Sequence, residues 1–224
     1  MTRVKAVDKG TVIAPSEGRG EVRRSVGLRE VAQAAGVSTA TVSRAINNPD
    51  VVSADLRERI AVAVEQLGWV PDGAARALST RRSQTIGAVF PALSIGDFAH
   101  ATQAIQSELS QAGYTLLLAC SEYDPDLELR QVRKFVERGV DGLILVGQTH
   151  HPELVPLLRR RDMPFVNTFV YDTQTHGTCV GPDNRKALMM MTDHLAELGH
   201  VRFGVIAQST RNNDRASARL DGVR

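Results

Sequence analysis

Between Val37 and Asn48 the chain reads VSTATVSRAINN. At a helical pitch of about 100° per residue, Val42, Ala45 and Ile46 fall on one side and Ala40, Ser43, Arg44 and Asn47 on the other. An outer face that is small, polar and singly basic keeps the backbone close to whatever lies outside. Arginine and asparagine are the side chains that bond bidentately to guanine and adenine edges. The chemistry these residues suit is non-covalent recognition in a DNA groove.

The elements that would position this face flank it. Leu28, Val31, Ala32 and Ala35 recur at i, i+3, i+4 and i+7, and Gly36 stands where a left-handed residue ends a helix. Ser38 suits the N-cap of the second helix, and the short turn AGVS predicts a steep crossing, the helix-turn-helix arrangement. A generic αα corner in a helical bundle shares the glycine turn and the apolar stripe and is the alternative. After NPDVV, Ser53 is placed to cap a third helix with Leu56, Ile60, Val64 and Leu67 inward and Gly68 at its end. Three helices in about 45 residues make a small core that gains from a partner surface. In WVPDGAARALSTRRSQ, Pro71 stops the chain, Asp72 can cap, and Ala74 to Leu78 give a turn or two, too short to persist alone in water. Leu78 suits either a wedge between base steps of a minor groove or a packing residue in an ordinary linker.

Charge is uneven along the 224 residues, with a net of +2. Residues 1–82 carry 13 Lys or Arg against 9 Asp or Glu, and residues 83–224 carry 14 against 16. A cationic head on a slightly anionic body fits a nucleic-acid partner, though charge of this size does not hold DNA unaided. Only Cys120 and Cys179 occur, which argues against a disulfide framework and for a reducing interior. The sequence has neither a long apolar run nor the apolar core of a signal peptide, so a cytoplasmic protein that does not enter a membrane is expected. Residues 1–26 mix charge, glycine and isolated apolar residues without period and read as a disordered tail, whose Arg19, Arg23 and Arg24 could brush phosphates.

From Thr85 onward, TIGAVF, YTLLLAC, VDGLILV, MPFVNTF and VRFGVI are continuous apolar runs. Helical periodicity separates the first four, over Phe98 to Ala112, Asp126 to Glu137 and Glu153 to Arg160. This alternation predicts right-handed crossovers and a doubly wound parallel α/β sheet with ligands at the strands' carboxyl ends. A further helix, Asp183 to Leu198, is expected to turn Ala187, Leu188, Met191, Leu195 and Leu198 inward. The domains are then the tail, a helix-turn-helix at 27–70, a hinge or linker at 71–83, and a sensing domain at 84–224.

Residues 27–78, GLREVAQAAGVSTATVSRAINNPDVVSADLRERIAVAVEQLGWVPDGAARAL, resemble the DNA-binding headpiece and hinge of the lactose and galactose repressor family of bacterial regulators. The resemblance implies that Leu28 to Ala35 positions and Ser38 to Asn47 reads, with Thr39 and Ala40 at the base-reading start. It also implies that Thr41, Ser43, Arg44 and Asn47 touch bases and phosphates, and that Leu78 intercalates. Gly73 departs from the more helix-prone residue usual there, softening the hinge by about 1 kcal/mol relative to alanine. The remainder resembles the family's effector-sensing core, built like a periplasmic sugar-binding protein of two lobes, and RASARLDGVR is similar to the segment whose arginine reaches the small molecule.

That resemblance implies a homodimeric repressor of double-stranded operator DNA controlled by a small-molecule effector, with the second lobe incomplete at Arg224. Candidate effector contacts are Asp97, Phe98, Gln148, Phe169, Asn213 and Arg219, each open also to loop polarity or helix capping. Phe169 and Tyr171 stand where sugar-binding members often carry an acid, with Asp172 beyond, which speaks against a plain hexose. The chain lacks GxGxxG after a strand, GxxxxGK, GxSxG and HExxH, so no enzyme and no cofactor are expected. His150, His151, His176 and Cys179 match no metal-ligand spacing. The alternative is a solute-binding protein or sugar-handling enzyme with an incidental helical head.

Overall fold

The computed structural model of the chain describes residues 26–171 and 178–224, apart from the Ser79 side chain; the expected tail, Asp172 and His176 lie outside them. Two compact units divide at Pro71 and Asp72. In the first, α1 (Leu28–Ala34), α2 (Thr39–Asn47), a 3-10 turn (Pro49–Val51) and α3 (Ala54–Leu67) enclose a small core. Val31, Val42, Ile60 and Ala63 form its centre, with Ala45, Ile46, Leu56, Val64 and Trp69 packed around them. Gly36 and Gly68 take φ of 65° and 58°, the left-handed geometry that closes α1 and α3. Ser38 caps α2 by accepting a hydrogen bond from the Thr41 backbone N–H at 3.1 Å. Ser53 occupies the N-cap of α3, but its side chain makes no capping bond. The angle between α1 and α3 is held by Arg59, whose guanidinium donates to the Ala35 carbonyl at 2.7 Å.

The second unit begins with α4 (Gly73–Thr80), capped by Asp72, whose carboxylate accepts from the backbone N–H groups of Ala74 and Ala75. Then follow β1 (Thr85–Phe90), α5 (Gly96–Gln111), β2 (Thr115–Cys120), α6 (Pro125–Glu137), β3 (Gly142–Val146), α7 (Leu154–Arg160), β4 (Phe165–Thr168), β5 (Thr178–Val180), α8 (Asn184–Glu197) and α9 (Asp214–Val223). All strand pairings are parallel, in the order β2-β1-β3-β4-β5. The period of two along each strand sorts the apolar runs onto two faces. Val89, Leu143 and Leu145 meet Leu129, Val132 and Phe135 of α6 and Leu154 and Leu158 of α7. Ala88, Phe90 and Val146 meet Phe98 of α5 on the other face. Gly87 is required by this packing, because a Cβ there would stand 2.5 Å from Phe135 and 2.9 Å from Leu143.

The expected fifth long strand is absent: residues 201–206, VRFGVI, form neither helix nor strand and are exposed, with Ile206 fully so. Apolar composition makes a strand only where a neighbour accepts its backbone hydrogen bonds, and no described strand lies beside this run. For the same reason the inward set assigned to α8 is only partly inward, with Leu188 and Leu195 half-buried. Met191 and Leu198 are about 59% and 63% exposed, and Ala187 is exposed as well, since α8 packs on α9 rather than on a sheet. The short β5 takes the outer place beside β4 instead.

One buried polar group ties three elements of the sheet unit together. His150 sits with its ring Nδ1 2.9 Å from a Glu128 carboxylate oxygen and its Nε2 3.3 Å from Asn167 Oδ1, in nearly complete burial. Burial pulls the imidazole pKa down, but the hydrogen bond and charge of Glu128, with Asn167 and Asp214, outweigh it and hold His150 above its ordinary value. A pKa raised on folding contributes stability that is fully present below the unfolded value and is lost as pH rises through the folded one. The urea midpoint of the sheet unit, followed by far-ultraviolet circular dichroism, is therefore expected to fall as pH rises above the ordinary imidazole value. In His150→Gln this decline flattens; an equal decline in the variant assigns the pH dependence to other groups.

Candidate nucleic-acid interface and ligand cleft

In the first unit, the fold presents the outer face of α2 as the sequence pattern predicts. Val42 is fully buried, while Thr39, Ala40, Arg44 and Asn47 are exposed and Thr41 and Ser43 half-buried. Asn47 donates from Nδ2 to Ser43 Oγ at 3.3 Å, and Ser38 and Thr41 share a hydroxyl contact at 2.9 Å, so short intrahelical bonds order the polar face. Among the described residues, Arg44 joins no ion pair, which leaves its five donors to solvent or a ligand. In the second unit, Leu78 on α4 is 87% exposed, an apolar side chain without a packing role inside that unit.

The carboxyl ends of the strands gather most of the residues proposed as ligand contacts, but not as one lining. Asp97 is exposed on the first turn of α5. Phe98 is 6% exposed and belongs to the core, 5.8 Å from the Phe90 ring and edge-on to Phe169 at 4.9 Å. Phe169 itself holds φ of 61°, a costly conformation for an aromatic residue, just beyond β4. Its carbonyl accepts from Asn184 Nδ2 at 3.0 Å, and Asn184 Oδ1 accepts from Arg219 Nε at 2.9 Å. Arg219 is exposed and turned onto the start of α8. Asn213 is buried as the N-cap of α9, accepting from the Ala216 N–H.

Among the described residues, clefts open at this edge on either side of the start of α9. One, of about 610 Å³, is lined by Ile95, Glu122, Tyr123 and Asp124 from one side and Gln208 and Arg211 from the other, with Asn213 at its margin. The other, of about 390 Å³, is lined by Gln148, Tyr171, Asn184 and Arg185, together with Asp214 and Arg215. Asp214 accepts from the Gln148 backbone N–H at 2.7 Å and from Arg215 Nη1 at 2.9 Å, so the start of α9 is locked to the loop after β3. Gly147 makes that lock possible, since any side chain there would collide with Asp214 and Arg215. Sequence reading passed over Asn184, Asp214 and Arg215. The signal available was only the run NNDRASAR, where two arginines four apart are equivalent until the fold buries one. Among the described residues no cluster of potential metal ligands forms.

Comparison with known proteins gives matches over both units. Residues 27–72 match the family of bacterial regulatory proteins of the lacI type, and residues 83–224 match the periplasmic binding proteins and sugar binding domain of LacI family. The HTH-type transcriptional regulator GntR of Escherichia coli K12 is 34% identical over 77% of this chain and 52% of its own length. MalR of Streptomyces coelicolor is 32% identical over 80% of this chain and 52% of its own. The chain thus spans about half the length of these curated relatives. Among solved structures, the lac repressor dimer bound to operator and an anti-inducer superposes with a TM-score of 0.76 and 25% identity, covering 89% of this chain and 61% of that one. A LacI family regulator from Silicibacter pomeroyi gives 0.75 and 27%, covering 88% and 60%. With both units matched in order and the second match alone spanning more than half of the residues, the chain belongs to the LacI family of bacterial regulatory proteins.

Proposed function

We propose that the protein is a sequence-specific DNA-binding regulator of transcription, working as a homodimeric repressor in the cytoplasm, and that a small molecule held at the carboxyl ends of the strands controls its operator affinity. The observation that carries this reading is the outer face of α2. On α2 the three-helix unit presents a rigid face of small and polar residues with one cation, Ala40, Ser43, Arg44 and Asn47. These are groups that fit a major groove and that no packing requirement explains. Thr39 and Thr41 stand at the turn of α2 that would enter first. The relatives' printed names, transcriptional regulators throughout, support the same reading.

For the ligand, the supporting geometry is the lock between Gln148 and Asp214 together with the two clefts it separates. Polar groups converge there from β-strand ends and from α9, the disposition expected for a small polar metabolite in a doubly wound sheet. Gln148, Asn213 and Arg219 remain proposed contacts or supports. Phe98 would act only from the core, by holding Phe169 through the ring contact, and Asp97 would stand at the rim. No helix of the described residues is long and apolar enough to cross a membrane.

Two substitutions test the DNA reading. Duplexes enriched from a random pool by the parent chain supply the site. Against them, Arg44→Ala is expected to lose about 1 to 3 kcal/mol of affinity at fixed salt, with Trp69 fluorescence reporting unchanged unfolding. Equal affinity of variant and parent removes α2 from the groove. Leu78→Ala is expected to lower both affinity and the bend measured by gel mobility of permuted sites, because unstacking a step is repaid by the contacts of the bent duplex. An unchanged bend makes α4 a linker only.

A further inference from the structure

We propose that the edge of the sheet at which its strands begin is a second DNA-facing surface, carried by Arg81, Arg82, Arg138, Arg159, Arg160 and Arg161 and suited to the phosphate backbone of duplex DNA. The inference rests on the regulator reading above.

Topology brings the six together. In a parallel sheet each crossover helix runs back against its strands, so α6 and α7, which share one face, both end at the edge where strands start. Arg138 is the C-cap of α6, and Arg159 to Arg161 close α7. Their connections are neighbours: β3 and β4 pair Leu143 with Phe165, and the Leu143 N–H donates to the Pro164 carbonyl at 3.0 Å. The chain reaches β1 at this same edge through Arg81 and Arg82. It is pinned there by Asp141, whose carboxylate accepts from the Ser83 N–H at 2.8 Å, the Ser83 hydroxyl at 3.1 Å and the Gln84 N–H at 2.9 Å. Arg81 and Gln84 adopt φ of 57° and 51°, so the approach has a defined path rather than a loose one.

All six arginines are exposed, and among the described residues none of them forms an ion pair. The acids beside these arginines are Glu137, Asp141 and Asp162, with Glu108 in the last turn of α5 on the other face and Glu197 at the end of α8, and Asp141 is engaged by Ser83 and Gln84. At the opposite edge stand Asp97, Asp124, Asp126, Glu153 and Asp183. Residues 83–224 are anionic in sum, yet their charge is polarised along the strands. At physiological salt the screening length is about 8 Å, so a ligand at the strand-start edge feels that edge and not the sum. Apart from Lys134 in the last turn of α6, the cations named at the edge are arginines, the side chain whose planar fork fits two phosphate oxygens at once. DNA is the favoured occupant because the polypeptide enters this edge directly from α4, the short helix with the exposed Leu78, on the segment that follows the helix-turn-helix. A tethered second contact needs little intrinsic affinity to add to the first.

The test compares three full-length chains on a fluorescent mixed-sequence duplex over a range of salt: the parent, Arg160→Gln/Arg161→Gln, and the equal-charge control Arg130→Gln/Arg133→Gln on the solvent side of α6. Circular dichroism checks that each is folded. The edge variant is expected to bind several-fold more weakly at low salt, with the slope of log affinity against log salt reduced by roughly 1 to 2 and the control near the parent. An unchanged slope in the edge variant, or an equal reduction in the control, overturns the proposal while leaving the α2 assignment intact. Loss of binding to phosphatidylserine vesicles with the DNA slope unchanged gives the edge to a lipid surface and likewise overturns it. Failure of the parent to bind any duplex removes the regulator reading itself, and the edge proposal with it.

Discussion

A parallel sheet leaves no face to water, and this requirement organises the larger unit. Its strands must be apolar on both sides, its connections must be helices, and those helices must run back along the faces they cover. The polar groups of such a unit are then confined to its two edges. At one edge strands end and helices begin, so carboxylates, asparagines and free N–H groups collect, as at Asp97, Asp124, Asp183 and Asn213. At the other, helices end and arginines collect. The clefts and the arginine edge are thus two results of one constraint, and the exposed run 201–206 shows it from the failing side: an apolar segment without a paired neighbour is not a strand.

The helix-turn-helix unit solves a different problem with far less material. Its core rests on Val31, Val42, Ile60 and Ala63, none of them aromatic, and Trp69 only borders it. In a domain of this size hydrophobic burial offsets chain entropy by a narrow margin. Capping and cross-helix bonds such as Ser38 to Thr41 and Arg59 to the Ala35 carbonyl therefore matter more here than they would in the sheet unit. They fix the entry angle of α2, on which the direction of Arg44 and Asn47 depends.

Much of this was legible in the sequence because the signals are periodic. The 3.6-residue stripes of α1 and α3 and the apolar runs of β1 to β4 follow from burial alone, and Gly36 and Gly68 end helices with the positive φ their positions imply. What failed to read was anything decided by a partner far along the chain. VRFGVI is an apolar run like β3 but lacks a ladder, and β5, three residues and mostly exposed, has no composition to notice. Phe98 looked like a cleft residue by position, yet its side chain turns to Phe90 and Phe169. Asn184 and Asp214 are ordinary helix-start residues until the fold sets one against the Phe169 carbonyl and the other against the Gln148 N–H.

On the proposed reading, the distance between the clefts and the arginine edge would limit how a metabolite could act on a DNA-facing side. The two lie at opposite ends of β1 and β3, about 20 Å apart at 3.3 Å per residue, along strands packed on both faces. Such strands do not bend by small amounts; a signal has to move an element with two discrete arrangements. The start of α9 qualifies, because it is held to the strand-end loops by a few polar bonds, Asp214 to the Gln148 N–H beside Gly147 and Asn212 to the Tyr123 carbonyl among them. At the far end α4 qualifies, because eight residues held mainly by the Asp72 cap stand near the margin of helix stability. Coupling of the usual 1 to 3 kcal/mol between two sites is comparable to the margin of such a short helix and far below the cost of deforming the sheet. A metabolite at the cleft would therefore act by choosing among placements of α9 and, through them, the order of α4, with the sheet as the fixed frame between.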